Sequence, residues 1–278
     1  MYRKSFESQG VKMYRLLTNE EKIKISTELN NSPFRVITDG EKIWVLKHNN
    51  NADCEKRDLL GFLLGKDFCN VTEVKLLDEQ ELENIKQFAN QEESFNVNNT
   101  FLVRLAHSYT LEELSCKILE EAVATELVYS IWIRRRDAHV DNRVYVKGIP
   151  IFYDYHVAFL GESDLGDVNT FFSQVGDHGR AGRWRVKILN DFLTRFTRGI
   201  HKSEMGAYHY VNDLASFYQL IEKSKTTLRE KVPNQLEKLV RQAKFTNTTE
   251  TQIINLLKGN LTTLDGDVSK MLEIVGKD

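Results

Sequence analysis

The hydrophobic residues of this 278-residue chain change their spacing near residue 106. Before that point apolar side chains alternate with polar ones in short runs, and after it they recur every three or four residues. A period of two belongs to a strand and a period of 3.6 to a helix, so strands and helices are expected to be segregated along the chain. Segregation predicts an α+β fold rather than an alternating one. Phe34, Val36 and Thr38 form the first arm of a predicted hairpin, with Ile43, Val45 and Lys47 on the second. Asp39-Gly40 between them offers the positive backbone angles of a tight turn. Leu59, Leu60, Leu63 and Leu64 predict a helix, and Val74, Leu76 and Phe101 to Val103 predict further strands. Residues 78 to 100 read as partly helical, then loop.

In the second half, Thr110 and Glu113 fit a capping box, and Leu111, Leu114, Ile118 and Ala122 predict a long amphipathic helix to about Trp132. Val144 to Val146 and Ile149 to Tyr153 predict a turn-linked strand pair. The last third carries four helical patterns, around Leu214 to Ile221, Leu236 to Val240, Ile253 to Leu257 and Val268 to Val275, and predicts a helical bundle. The expected organisation is two closely packed lobes, residues 1–105 and 106–278, with a cleft between them.

Composition removes several functional classes. With 38 basic and 40 acidic residues, the chain has no electrostatic footprint for nucleic acid or an anionic membrane. Cys54, Cys69 and Cys116 lack metal-ligand spacing, which predicts reduced thiols and no structural zinc. The apolar run from Leu59 to Leu64 is far too short to span a bilayer, and the first residues show no secretory signal, so a cytoplasmic protein without a membrane span is expected. The histidines show no HExxH spacing, and neither a GxSxG elbow nor a GxxxxGK[ST] phosphate loop occurs.

The chemistry concentrates in Asp137-Ala138-His139-Val140-Asp141-Asn142, followed by Tyr153-Asp154-Tyr155. Phoshoryl transfer from a magnesium-bound nucleoside triphosphate needs one carboxylate to orient or deprotonate the attacking hydroxyl. It also needs an amide oxygen and a second carboxylate for the metal. Asp137 is the candidate for the first role, against a simple pairing with Arg134, Arg135 or Arg136. Asn142 is a metal ligand or a turn residue. Asp154 is a metal ligand or a hydrated strand-end acid, and its apolar neighbours favour the former, because a charge among apolar groups is costly unless paired. His139 reads as loop scaffold, and Asp141 has no assigned role. Arg134-Arg135-Arg136 is either a phosphate-binding patch or a solvated charge run. A second basic segment, Arg180, Arg183, Arg185 and Lys187 around Trp184, either contacts a substrate or packs Trp184 on the helical lobe.

This combination resembles the protein-kinase-like fold, and within it the HipA-like kinases and the related phosphatidylinositol 3/4-kinases. The resemblance spans roughly residues 28 to 160. It rests on Asn31-Ser32-Pro33-Phe34-Arg35-Val36, Asp39-Gly40, Trp44-Val45-Leu46-Lys47 and Asp58-Leu59-Leu60-Gly61-Phe62, together with the two motifs above. It implies a bilobal architecture with a β-rich amino lobe and a helical carboxyl lobe, using ATP and Mg2+ as cofactors. Lys47 would neutralise the α and β phosphates, and Ser32 with its neighbouring amides would cover them. Either Asp58 or Glu55 would pair with Lys47: Asp58 matches the family register but is one methylene shorter than the usual glutamate, and Glu55 stands almost one turn earlier. The implied acceptor is a protein Ser/Thr hydroxyl, with no nucleic-acid partner and no signal for oligomeric state. The alternatives are a pseudokinase that binds nucleotide without turnover, and a lipid or small-molecule kinase.

Overall fold

The structure is a computed structural model that describes residues 13–26, 29, 35–48, 52–88, 95–110, 113, 119–135, 143–146, 149–156, 158–159 and 214–275. The first half contains β1 (Arg15–Leu16), α1 (Asn19–Ile25), β2 (Arg35–Thr38), β3 (Ile43–His48), α2 (Ala52–Gly65), β4 (Val74–Leu76), α3 (Glu79–Lys86) and β5 (Thr100–Arg104). The second contains α4 (Leu119–Trp132), β6 (Arg143–Val146), β7 (Ile149–Phe152), α5 (Leu214–Lys231), α6 (Leu236–Gln242) and α7 (Asn247–Val275). Strands β1 to β5 make one antiparallel sheet in the order β1-β2-β3-β5-β4, and β6 and β7 pair separately.

The predicted hairpin forms, with Thr38 opposite Ile43 and residues 39–42 as its loop. Gly40 sits at φ 92°, and the Asp39 carboxylate accepts the N–H groups of Glu41 at 3.0 Å and Lys42 at 2.8 Å. Pairing then sorts side chains by face. Ile37, Trp44, Leu46 and Leu102 join Leu82 and Ile85 of α3 in one core. Val45 and Lys47 alternate with them and face the other way.

A larger core unites Leu59, Leu60, Phe62 and Leu64 of α2 with Phe101 and Val103 of β5, the inner faces of α4 to α7, Phe152 and Tyr155. Helix α4 is its axis. The sequence predicts an amphipathic helix here, but every residue from 122 to 135 is buried, because α5, α7 and β7 all pack on α4. Such all-round burial fits a helix apolar on every side. Its far end is tied to α7: Trp132 Nε1 donates to Leu257 O at 3.0 Å, and Asn260 Nδ2 donates to Trp132 O at 2.7 Å. The described part of the helix runs from Leu119 to Trp132, and Leu111, Leu114 and Ile118 lie outside the described residues. Only half of the expected box exists, with Thr110 N donating to Glu113 Oε2 at 2.9 Å, while Glu113 N bonds the Thr110 carbonyl oxygen. Arg104 also claims that Glu113 carboxylate, at 2.5 Å.

The last two helical patterns merge into α7, which is 29 residues long. Among the described residues no helix is long and apolar enough to cross a membrane. Cys54 and Cys69 are free thiols, and Cys116 lies outside the described residues.

Candidate active site

Lys47 reaches the site because strand alternation points it, like Val45, away from the α3 core. Its Nζ lies 3.2 Å from Asp58 Oδ2. Asp58 comes from α2 and is 1% exposed. Of the two acids that the sequence leaves open, Asp58 is therefore the one that forms the ion pair. Its other oxygen, Oδ1, accepts the backbone N–H of Tyr155 at 2.6 Å. One buried carboxylate thus ties the lysine strand to the segment after β7.

That segment has an unusual backbone. Asp154 adopts φ 70°, a left-handed conformation that costs a non-glycine residue free energy, though less for Asp than for most. Its carboxylate Oδ1 is hydrogen-bonded to His156 Nδ1. On the preceding side Arg135 donates to Tyr153 O at 2.7 Å, with its guanidinium 4.3 Å from the centroid of the Tyr155 ring. Tyr155 itself is fully buried against α2, where Gly61 leaves it room: a Cβ at that position would stand 2.3 Å from the Tyr155 Cβ. Tyr129 from α4 donates its hydroxyl to Gly61 O.

Electrostatics follow from this crowding. Burial disfavours the charge on Lys47, but Asp58, then Asp154 and Glu55, outweigh it and hold the lysine pKa above its ordinary value. Burial likewise opposes ionisation of Asp154, yet the His156 hydrogen bond and the Lys47 charge prevail and keep it an anion. Glu55 goes the other way. Burial, then the charge of Asp58, pushes its carboxyl up to about 7 despite Lys47.

Lys47 and Asp154 stand in the wall of a cavity of about 270 Å3. Its other walls are mainly apolar, with Val45 and Val103 from the sheet, Phe62 from α2, Leu105 and Ala106 from the connection after β5, and Val144 from β6. A largely apolar slot with a few convergent polar groups is the usual form of a small-molecule site.

The structure therefore brings together Lys47, Asp58, Glu55 and Asp154. Asp137, His139, Asp141, Asn142 and Ser32 lie outside the described residues, as does the basic segment around Trp184. Both sequence readings of the arginine run need correction. Arg134 and Arg135 are buried, 2.8 Å from Asp267 and paired with Glu126 respectively, so neither is a solvated or phosphate-facing charge. Arg136 lies outside the described residues. Sequence reasoning missed the parts of His156, Arg135 and Gly61. The Gly61-x-x-x-Gly65 spacing on α2 was the available signal for a close approach, and Gly65 indeed meets Val71 and Tyr129.

No family model matches the chain, and no curated protein matches it either. Among solved structures, the chain is similar to the crystal structure of a Helicobacter pylori proinflammatory kinase, CtkA, with a TM-score of 0.44 at 9% identity. That superposition covers 87% of this chain and 92% of the kinase.

Proposed function

We propose that this chain is an ATP- and Mg2+-dependent phosphotransferase, specifically a HipA-like protein Ser/Thr kinase of the cytoplasm. Its amino lobe would be residues 1–105 and its helical carboxyl lobe residues 106–278. The observation that carries this reading is the Lys47–Asp58 pair standing beside Asp154 at the wall of a mainly apolar cavity. The apolar residues fit a purine ring, and Lys47 supplies a fixed positive charge for its phosphates.

The donor chemistry also fits a divalent cation. Asp154 presents a partly exposed carboxylate beside Lys47, and Mg2+ is typically held by one or two carboxylates plus substrate phosphates. Among the described residues no three His, Cys, Asp or Glu groups could hold a metal by themselves, so Asp154 would share it with Asn142 and the nucleotide. Bound Mg2+ would neutralise the phosphate oxygens during transfer. Asp58 keeps Lys47 charged and in place, the Ser32 region would cover the phosphates, and Asp137 would orient the acceptor hydroxyl and accept its proton.

The test is incubation of the full chain with γ-labelled ATP and Mg2+ beside a cell lysate, with Asp137→Ala in parallel. Label entering protein with the wild type alone supports the proposal. Label in lipid or small-molecule fractions moves the acceptor class. Binding of ATP without transfer selects the pseudokinase, and absence of ATP binding overturns the nucleotide site altogether.

A further inference from the structure

We infer that Asp58 is a positioning residue for Asp154, acting through the Tyr155 backbone independently of its pairing with Lys47. The inference rests on the phosphotransferase reading, in which Asp154 holds the metal.

A left-handed backbone at a non-glycine residue persists where its surroundings over-determine it. Asp154 has such surroundings on both sides. Arg135 fixes the carbonyl of Tyr153 at 2.7 Å, and Asp58 fixes the N–H of Tyr155 at 2.6 Å. The second contact is a charge-assisted hydrogen bond inside the protein, a class stronger than its neutral counterpart. Helix α2 meets Tyr155 at two points three residues apart: Asp58 receives its N–H, and Gly61 admits its Cβ. The peptide that follows Asp154 is thereby fixed to a rigid helix, and with it the direction of the Asp154 carboxylate. Lys47 uses the other oxygen of Asp58, so the two tasks are separable by mutation.

The experiment titrates Mg2+ against binding of a fluorescent ATP analogue by the full chain, a readout that needs no turnover. Asp58→Ala is made in the wild type and in a Lys47→Met background. We expect the Mg2+ concentration for half-maximal binding to rise about tenfold in both, the scale for loss of a group that orients a metal ligand. Asp58→Asn in the Lys47→Met background should restore the value of Lys47→Met alone, because the amide oxygen is then free to accept from Tyr155. Disappearance of the Asp58→Ala shift in the Lys47→Met background, or no rescue by Asn, overturns the inference. Should Asp58→Ala fail to fold, Asp58→Leu and Asp58→Asn in the Lys47→Met background decide: a higher Mg2+ requirement for Leu, which cannot accept from Tyr155, is expected, and equal requirements overturn the inference. Absent or Mg2+-independent nucleotide binding by the wild type would instead sink the phosphotransferase reading itself.

Discussion

The molecule holds two groups of buried charge, and they are built differently. In the helical core each arginine is ion-paired with an acid: Arg134 with Asp267, and Arg135 with Glu126. Neutral hydroxyls join both pairs, with Thr263 donating to Asp267 at 2.7 Å and Ser130 to Glu126 at 2.9 Å. At the cavity, by contrast, Lys47 faces three acids, Asp58, Asp154 and Glu55. The core pairs are closed to water: Arg134–Asp267 ties the end of α4 to α7, and Arg135, paired with Glu126 of α4, also reaches Tyr153 O beside Asp154. The cavity cluster carries a surplus of carboxylates, of which Asp154 stands in the cavity wall. A further cation lowers the energy of such a cluster, and no structural pair needs one.

The largest effect that tests this contrast is on chemistry. On the proposed phosphotransferase function, Asp154→Ala should reduce Mg2+-dependent phosphoryl transfer by at least about 10³-fold, the scale for withdrawing one electrostatic group from such a site. Wild-type turnover in that variant would remove Asp154 from the site. Next comes stability. Arg135→Ala leaves the Glu126 carboxylate buried without its cation and should cost about 3–5 kcal/mol by denaturant unfolding, whereas Glu55→Gln at the cavity cluster, which strands no buried acid, should cost much less. Equal costs would erase the distinction between the two groups. Gly61→Ala drives a methyl group into Tyr155 and should destabilise by roughly 1–3 kcal/mol. A neutral result in calorimetry would mean that α2 and Tyr155 are not in close contact.

The smallest effect is a pH dependence. Glu55 is lifted from 4.5 to about 7 by burial and then by Asp58, so between those values the folded state holds a proton that the unfolded state has released. Stability from this group is therefore greatest below pH 4.5 and declines as pH rises to about 7. Glu55→Gln should make the loss of stability between pH 5 and pH 8 smaller than in the wild type. An unchanged loss, measured by urea unfolding, would place Glu55 outside the cluster.

Much of this was legible in the sequence because the signals are local. Asp39-Gly40 marks its hairpin, strand alternation predicts that Val45 and Lys47 share a face, and the position of Asp154 at the end of β7 follows from the apolar run before it. Long-range partners were not legible. A run of three arginines looks solvated from sequence, since nothing local announces Asp267 from a helix more than a hundred residues away. Glu126 lies nearer, but on a helix whose burial on all sides depends on α5 and α7 packing around it. The choice between Asp58 and Glu55 turned on the Lys47 approach, which only the packing of α2 against the sheet decides.

That packing has a dynamic consequence. Leu59, Leu60, Phe62 and Leu64 of α2 share one continuous core with Leu236 and Val240 of α6, and each such side chain contributes roughly 1.5–3 kcal/mol on burial. Swinging α2 outward to part Asp58 from Lys47 would tear open the middle of the molecule, at a cost approaching that of global unfolding. The helix is therefore an anchor rather than a lever.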